Sequence, residues 1–242
     1  MPTIRLDRLV AVAGSYTKSE AVMLIKHGHI TVDGCVALSR SEKYSTDTAR
    51  IAIDGEPLEY REFRYVMLNK PQGYITATED KYEKTVIELL SEKYAGMGLF
   101  PVGRLDKDAD GLLILTNDGK YSHKVISPSS KVRKRYFVQF DGKISASDIE
   151  SFDKGVVLAD GTRCLPALLE PAPGGAFVSL HEGKYHQVKR MMAAIEKPVK
   201  KLTRVSIGGL SLDESLKPGE FRELFEEASL VFSEINTQNN NK

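Results

Sequence analysis

The segment Gly103-Arg104-Leu105-Asp106-Lys107-Asp108-Ala109-Asp110-Gly111 gathers the most unusual set of chemistry-bearing side chains in the sequence. Three carboxylates alternate and a glycine follows. That is the first half of a calcium loop, with acids at loop positions 1, 3 and 5 and glycine at 6. Such a loop closes on a bidentate Glu at position 12, where this chain has Asn117, and Leu112-Leu113-Ile114-Leu115 reads as a strand rather than an exiting helix. The missing closing ligand argues against calcium. A single carboxylate has another use, as a nucleophile or acid–base group, provided a cation lowers its pKa and aims it. Arg104 is close in sequence, but spacing alone leaves open which cation faces Asp106. His186 invites a general-base reading; with no paired carboxylate visible in the sequence, it reads instead as a polar residue opening a helix. Cys35 and Cys164 match no metal spacing, so neither a zinc site nor a disulfide scaffold is expected, and a reducing cytoplasm is the natural compartment.

The elements that must position these groups fall into two textures. In the first, Leu6, Leu9, Val10 and Ala13 follow helical spacing. Thr17-Lys18-Ser19-Glu20 is a capping box opening a second helix, which Gly28 stops. His29 to Val36 carries Asp33-Gly34, a type I′ hairpin signal, and Asp54-Gly55 marks another break. From Tyr65 onward strands are expected at Tyr65–Asn69, Leu112–Thr116, Tyr136–Phe140, Phe177–Leu180 and Val205–Leu212. Helices are expected at Thr85–Ser91, Lys120–Ile126, Ser147–Phe152, His186–Ile195 and Glu220–Phe232. Several strands adjoin, which favours an α+β fold over a doubly wound sheet. The expected division is a small module over 1–59, a larger domain over 60–235, and a frayed polar tail over 236–242.

Composition bounds the function. The 242 residues carry 34 Lys+Arg against 33 Asp+Glu; 41% are hydrophobic and 28% charged. That suits a folded soluble chain, and no stretch reaches the roughly 18 apolar residues of a membrane span. The near-zero net charge is a cancellation. Residues 131–206 hold 14 basic and 8 acidic side chains, a surplus of +6, while residues 207–242 hold 3 and 7. A basic stretch of this kind suits a polyanion surface, although a solvated charged face has the same composition.

Gly103-Arg104-Leu105-Asp106, followed by Gly111 to Gly119 (Gly-Leu-Leu-Ile-Leu-Thr-Asn-Asp-Gly), resembles the signature of the ribosomal small-subunit pseudouridine synthase family. Four further segments agree in order: Met67 to Tyr74, Lys134 to Val138, Glu182 to Met192, and Ile207 to Leu212 with Pro218 to Arg222. Arg5 to Leu9, Thr17 to Ala21 and Gly28 to Gly34 resemble the αL-type RNA-binding module that a small-subunit ribosomal protein also uses. The resemblance spans residues 4 to about 230. Thr17-Lys18 stands where that module commonly has Ser-Arg, which exchanges a bidentate fork for a point charge.

The resemblance implies an RNA-binding module followed by a mixed α/β catalytic domain with a mainly antiparallel sheet. It implies an isomerase that detaches uracil from ribose and rejoins it through carbon, without a metal or cofactor. Asp106 would be the essential carboxylate, Tyr136 would lie against the everted uracil, and Lys189 would pair with the carboxylate. Arg104 would enter the RNA stack or hold a phosphate, its alternative being a salt bridge to Asp108 or Asp110. Arg5, Arg8, Lys18, Lys134, Arg135 and Arg190 would grip RNA. Lys70-Pro71 would shape a strand end without a chemical step. The expected substrate is a uridine of 16S rRNA, free or in a partly assembled small subunit, handled by a cytoplasmic monomer away from membranes. Large-subunit rRNA, or a non-catalytic role in ribosome assembly, are the alternatives.

Overall fold

A computed structural model of the chain describes residues 3–14, 16–46, 48–94 and 97–233; the expected tail over 236–242 lies outside them. The chain divides into two compact units, Met1–Arg64 with Leu90–Leu99, and Tyr65–Leu89 with Phe100–Lys242.

The first unit runs β1 (Thr3–Arg5), α1 (Leu6–Gly14), α2 (Lys18–Lys26), β2 (Ile30–Val32), β3 (Cys35–Val36), β4 (Lys43–Ser45), β5 (Ile51–Ile53) and β6 (Glu56–Pro57). The capping box forms. The Thr17 hydroxyl accepts from the Glu20 N–H at 3.2 Å, and the Glu20 carboxylate accepts from the Thr17 N–H at 2.7 Å. Asp33 and Gly34 take φ of +51° and +83°, and Asp54 and Gly55 take +50° and +88°. Both pairs are therefore tight turns that require left-handed backbone, and they join β2 to β3 and β5 to β6. The strands form a four-stranded sheet in the order β3-β2-β5-β6, with β1 paired to β4. Leu6, Leu9 and Val10 of α1 pack with Ala21 and Ile25 of α2 over Ile30, Val32 and Ile51. No helix among the described residues is long and apolar enough to cross a membrane.

The second unit contains β7 (Tyr65–Lys70), β8 (Phe100–Pro101), β9 (Asp110–Thr116), α3 (Gly119–Ile126), β10 (Lys134–Gln139), α4 (Ala146–Asp153), β11 (Leu168–Ala172), β12 (Gly175–Leu180), α5 (Gln187–Ala194), β13 (Lys201–Ile207), β14 (Leu210–Ser211) and β15 (Phe221–Leu224). Its sheet runs β11-β12-β10-β13-β9-β7-β15, with β14 on β13 and β8 on β9. The β13–β9 pairing is parallel and the other pairings between these strands are antiparallel. This is the α+β architecture expected from the sequence. The central strand β9 is buried along almost its whole length, as its unbroken apolar run requires. Leu112 and Ile114 join Met67, Tyr121, Val125 and Val231 on one face, and the pleat turns Leu113 and Leu115 to the other.

Three expected elements differ. The Glu220–Phe232 helix is replaced by β15, antiparallel to β7, and a 3-10 stretch over Glu226–Phe232. The Arg222 guanidinium joins Asp213 at 2.6 Å and Glu227 at 3.0 Å, holding this chain end against the sheet. The continuous strand Val205–Leu212 breaks at Gly208-Gly209, where Gly208 donates to the Arg133 carbonyl and Gly209 to that of Leu230. Thr85–Ser91 yields only a 3-10 turn over Val86–Leu89.

Candidate active site

One row across the sheet organises the site. Lys70 of β7 opposes Gly111 of β9, Gly111 opposes Arg204 of β13, and Arg204 opposes Tyr136 of β10. Residues paired across strands share a face, so Lys70, Arg204 and Tyr136 project together. The β13 register shifts between Arg135 and Tyr136, and this bulge brings Arg204 rather than Val205 opposite the tyrosine. Gly111 adopts φ +102°, and a Cβ there would lie 2.3 Å from the Arg204 carbonyl oxygen. Only glycine lets β9 approach β13 so closely as it leaves the acidic loop.

The two cations of the row hold that loop by its carbonyls. Lys70 is 0% exposed. Its Nζ donates to the carbonyls of Ala109 at 2.8 Å, Asp106 at 3.0 Å and Pro71 at 3.1 Å. Burial draws its ammonium from 10.5 down to about 8, against the opposing pull of Asp110, Asp106 and Asp108. Arg204, 2% exposed, donates through Nε to the Leu112 carbonyl at 2.8 Å and through Nη1 to that of Arg104 at 3.4 Å. Its Nη2 is buried without a partner among the described residues. Thr76 adds a further tie: its hydroxyl donates to the Leu105 carbonyl and accepts from the Leu105 N–H.

The Asp106 side chain emerges from this braced loop 27% exposed. One oxygen lies 2.9 Å from the Lys189 ammonium and the other 3.4 Å from His186 Nε2. Lys189, on α5, also meets Asp108 at 2.5 Å. Partial burial lowers the Lys189 pKa, but hydrogen bonds to Asp108 and Asp106 outweigh it and raise the ammonium above its ordinary value. The same bond from Lys189 holds Asp108 below the usual carboxylate range. Asp110 turns away, accepting from the Thr203 hydroxyl and lying 3.4 Å from Lys201. Asp106 and Asp108 thus share Lys189, while Asp110 faces a separate set of partners.

His186 is not the helix-opening polar residue expected from the sequence. It does occupy the position before α5, but its side chain makes no cap, and its φ of +49° is left-handed. It faces the carboxylate of Asp106, a partner distant in sequence. Tyr136 is 8% exposed, set in the sheet one strand beyond Arg204.

The expected RNA contacts divide into two groups. Arg104 is exposed and its guanidinium makes neither of the salt bridges weighed for it, since Asp108 meets Lys189 and Asp110 meets Thr203 and Lys201. Arg8 and Lys18 are exposed in the first unit. The others are engaged. Arg5 is bound through two nitrogens to the buried Asp7, at 2.7 and 3.1 Å. Arg135 meets Glu170 at 3.1 Å and lies over the Phe177 ring, 4.0 Å from its centroid. Arg190 meets Asp160 at 2.5 Å. Lys134 is drawn down to about 8 by burial, with the Arg204 charge adding to the effect. Arg204 is the site residue that the sequence reading missed; Lys70, expected only to shape a strand end without a chemical step, holds the loop's carbonyls. Their signal was a cation inside an apolar strand pattern, at a position whose alternation places it inside.

Comparison with known proteins shows the family of the chain. The model of the RNA pseudouridylate synthase family matches residues 64–194, and that of the S4 domain matches residues 4–47. An RNA pseudouridine synthase of Bacillus subtilis, described as uncharacterized, is 41% identical over 236 residues, covering 96% of this chain and 99% of that protein. The ribosomal small subunit pseudouridine synthase A of Escherichia coli K12 is 40% identical over 235 residues, covering 94% and 100%. That of Vibrio cholerae is 40% identical over 226 residues, covering 93% and 97%. A crystal structure of a pseudouridylate synthase superposes with a TM-score of 0.65 at 34% identity, covering 94% of this chain and 99% of the other. The chain therefore belongs to the RNA pseudouridylate synthase family, as an enzyme that carries an S4 domain and isomerises uridine in RNA.

Proposed function

We propose that this enzyme converts a specific uridine of 16S rRNA to pseudouridine, with Asp106 as its essential carboxylate. The observation that carries the reading is the ion pair between Asp106 and Lys189 at 2.9 Å, on a loop whose carbonyls two buried cations hold from beneath. A carboxylate so fixed is preorganised for attack and keeps enough exposure to meet a nucleotide. In the reaction the N1–C1′ bond breaks, the uracil turns, C5 bonds to C1′, and the C5 proton leaves as N1 gains one. Nothing is oxidised or consumed.

The uridine must first be everted, at a cost of a few kcal/mol. Tyr136 offers its ring to the everted base, and Arg104 offers a free fork to a neighbouring phosphate or base. The S4 domain supplies affinity through Arg8 and Lys18, while the choice of uridine comes from RNA shape and splayed bases. The 16S target is supported by the similarity to small-subunit enzymes of Escherichia coli and Vibrio cholerae. An rRNA substrate, free or within a partly assembled small subunit, implies a cytoplasmic enzyme, and one chain carrying both units suits a monomer.

The test is a pseudouridine map of rRNA from a strain lacking the gene, with and without the gene restored. Loss of one 16S position that returns on complementation is expected. Loss of a 23S position would move the target to the large subunit. Persistence of every site would favour a binding-only role.

A further inference from the structure

Against His186, which faces Asp106, the chain displays an aromatic side chain with no part in the chemistry described so far. Tyr185 is 77% exposed. Its ring is nevertheless held, stacked on the His186 ring with centroids 3.8 Å apart and planes 18° from parallel. The Tyr185 carbonyl accepts from Arg190 at 3.4 Å. His186 itself is fixed by a left-handed backbone and by the start of α5, and its Nε2 lies 3.4 Å from Asp106. A non-glycine residue at positive φ is uncommon and concentrates at functional sites. Here that backbone goes with a stacked pair of rings of which His186 meets the carboxylate.

A tyrosine left this open gains little from burial, so folding alone does not account for fixing it here. What suits it is a flat, apolar partner that arrives with the substrate. Single-stranded RNA is recognised by aromatic faces set among cations, because each base has a π-face whatever its identity. Lys184 precedes Tyr185 and Arg190 donates to its carbonyl, each also paired to an acid, Glu182 and Asp160 respectively. Everting one uridine also breaks the stacking of the base beside it, leaving that base in need of a new partner at this position.

We propose that Tyr185 is a stacking platform for the nucleobase adjacent to the everted uridine, extending the Tyr185–His186 stack into the substrate. This rests on the reading that the uridine is everted onto Asp106. The role is one of positioning: the ring holds the RNA strand in register and takes no part in bond making.

The test is a double-mutant cycle between protein and RNA. Wild type and Tyr185→Ala are assayed on an rRNA fragment centred on the mapped uridine, and on fragments with an abasic nucleotide on its 5′ or its 3′ side. Tyr185→Ala is expected to raise KM by about 5- to 150-fold on the intact fragment, the range of one base–aromatic stack. On the fragment abasic on the stacked side, the same substitution is expected to change KM less than twofold, because the partner is already gone. Tyr185→Phe is expected to restore most of the affinity lost in Tyr185→Ala, since the face and not the hydroxyl is used. Equal losses on all fragments would overturn the platform and assign Tyr185 a structural role. Activity surviving in Asp106→Asn would instead remove the underlying assignment of the carboxylate, so the two failures are distinguishable.

Discussion

Lys70 is a fully buried cation that shapes the site without taking a chemical step. Fully buried, it gives three hydrogen bonds to backbone carbonyls, and its ammonium titrates near 8 instead of 10.5. Below pH 8 both the native and the unfolded chain hold the proton, and the burial penalty is fully present. Between pH 8 and 10.5 the unfolded chain keeps a proton that the native chain has released, so stability rises with pH in that window. The shift corresponds to about 3 kcal/mol. Urea unfolding of wild type and Lys70→Met from pH 7 to 10.5 should show the wild type gaining by about that amount relative to the variant. A difference independent of pH would contradict the assignment. The same variant removes the Lys70 donor from the Asp106 and Ala109 carbonyls, and kcat should fall at least about tenfold with the loop's geometry. At this scale the sequence was legible in part. Asp106, Tyr136 and Lys189 were reached through resemblance, and their types suit the chemistry. The His186–Asp106 approach was not legible, because the two residues are distant in sequence and only the packing of α5 brings them together. Lys70 was expected to shape a strand end, but its bonds to the Asp106 and Ala109 carbonyls were not legible because that loop is distant in sequence; Arg204 was passed over because it lay just outside the strand expected from Val205.

Strand registry, more than any helix, builds the site. Lys70, Gly111, Arg204 and Tyr136 lie on four strands that come from well-separated parts of the chain. Gly111 is the hinge of that arrangement. Gly111→Ala adds a methyl group 2.3 Å from the Arg204 carbonyl at φ +102°, and should destabilise the fold by more than about 2 kcal/mol in urea unfolding and reduce turnover. A variant of wild-type stability and activity would mean that the β9–β13 approach is looser than described. Elements with strong local signals were readable. The continuous apolar run of β9 marked a buried central strand, and Thr17 with Glu20 marked the start of α2. β11 gave no such signal, since Pro171 interrupts its pattern; an edge strand tolerates that proline because its outer side needs no ladder donor. The stretch from Glu220 to Phe232 carries apolar residues at helical spacing, yet Phe221–Leu224 pairs with β7. The open edge of a sheet outweighed local propensity there, a long-range effect that spacing does not report.

Across the whole molecule, charge is distributed unevenly, and among the described residues the structure separates cations held in ion pairs from cations exposed without one. Arg5 is committed to the buried Asp7, so Arg5→Gln should act mainly on the stability of the first unit. Arg8 and Lys18 are exposed, and replacing both with Gln should weaken RNA binding similarly across sequences. It should also lower the slope of log K against log salt by roughly 0.7 to 0.9 per lost phosphate contact. An unchanged slope would exclude them from the RNA surface. The change of texture at Tyr65 made the two units visible in the sequence. The grouping of Leu90–Leu99 with the first unit was not visible, because a segment's tertiary allegiance leaves no periodic mark. The central claim is that one fixed carboxylate drives the isomerisation, and tritium release from 5-tritiated uridine in rRNA measures it directly. Asp106→Asn keeps the side chain's shape and removes its charge. Turnover should drop by at least about a thousandfold, roughly 4 kcal/mol in the barrier, with RNA affinity retained. Substantial tritium release by that variant would contradict the claim.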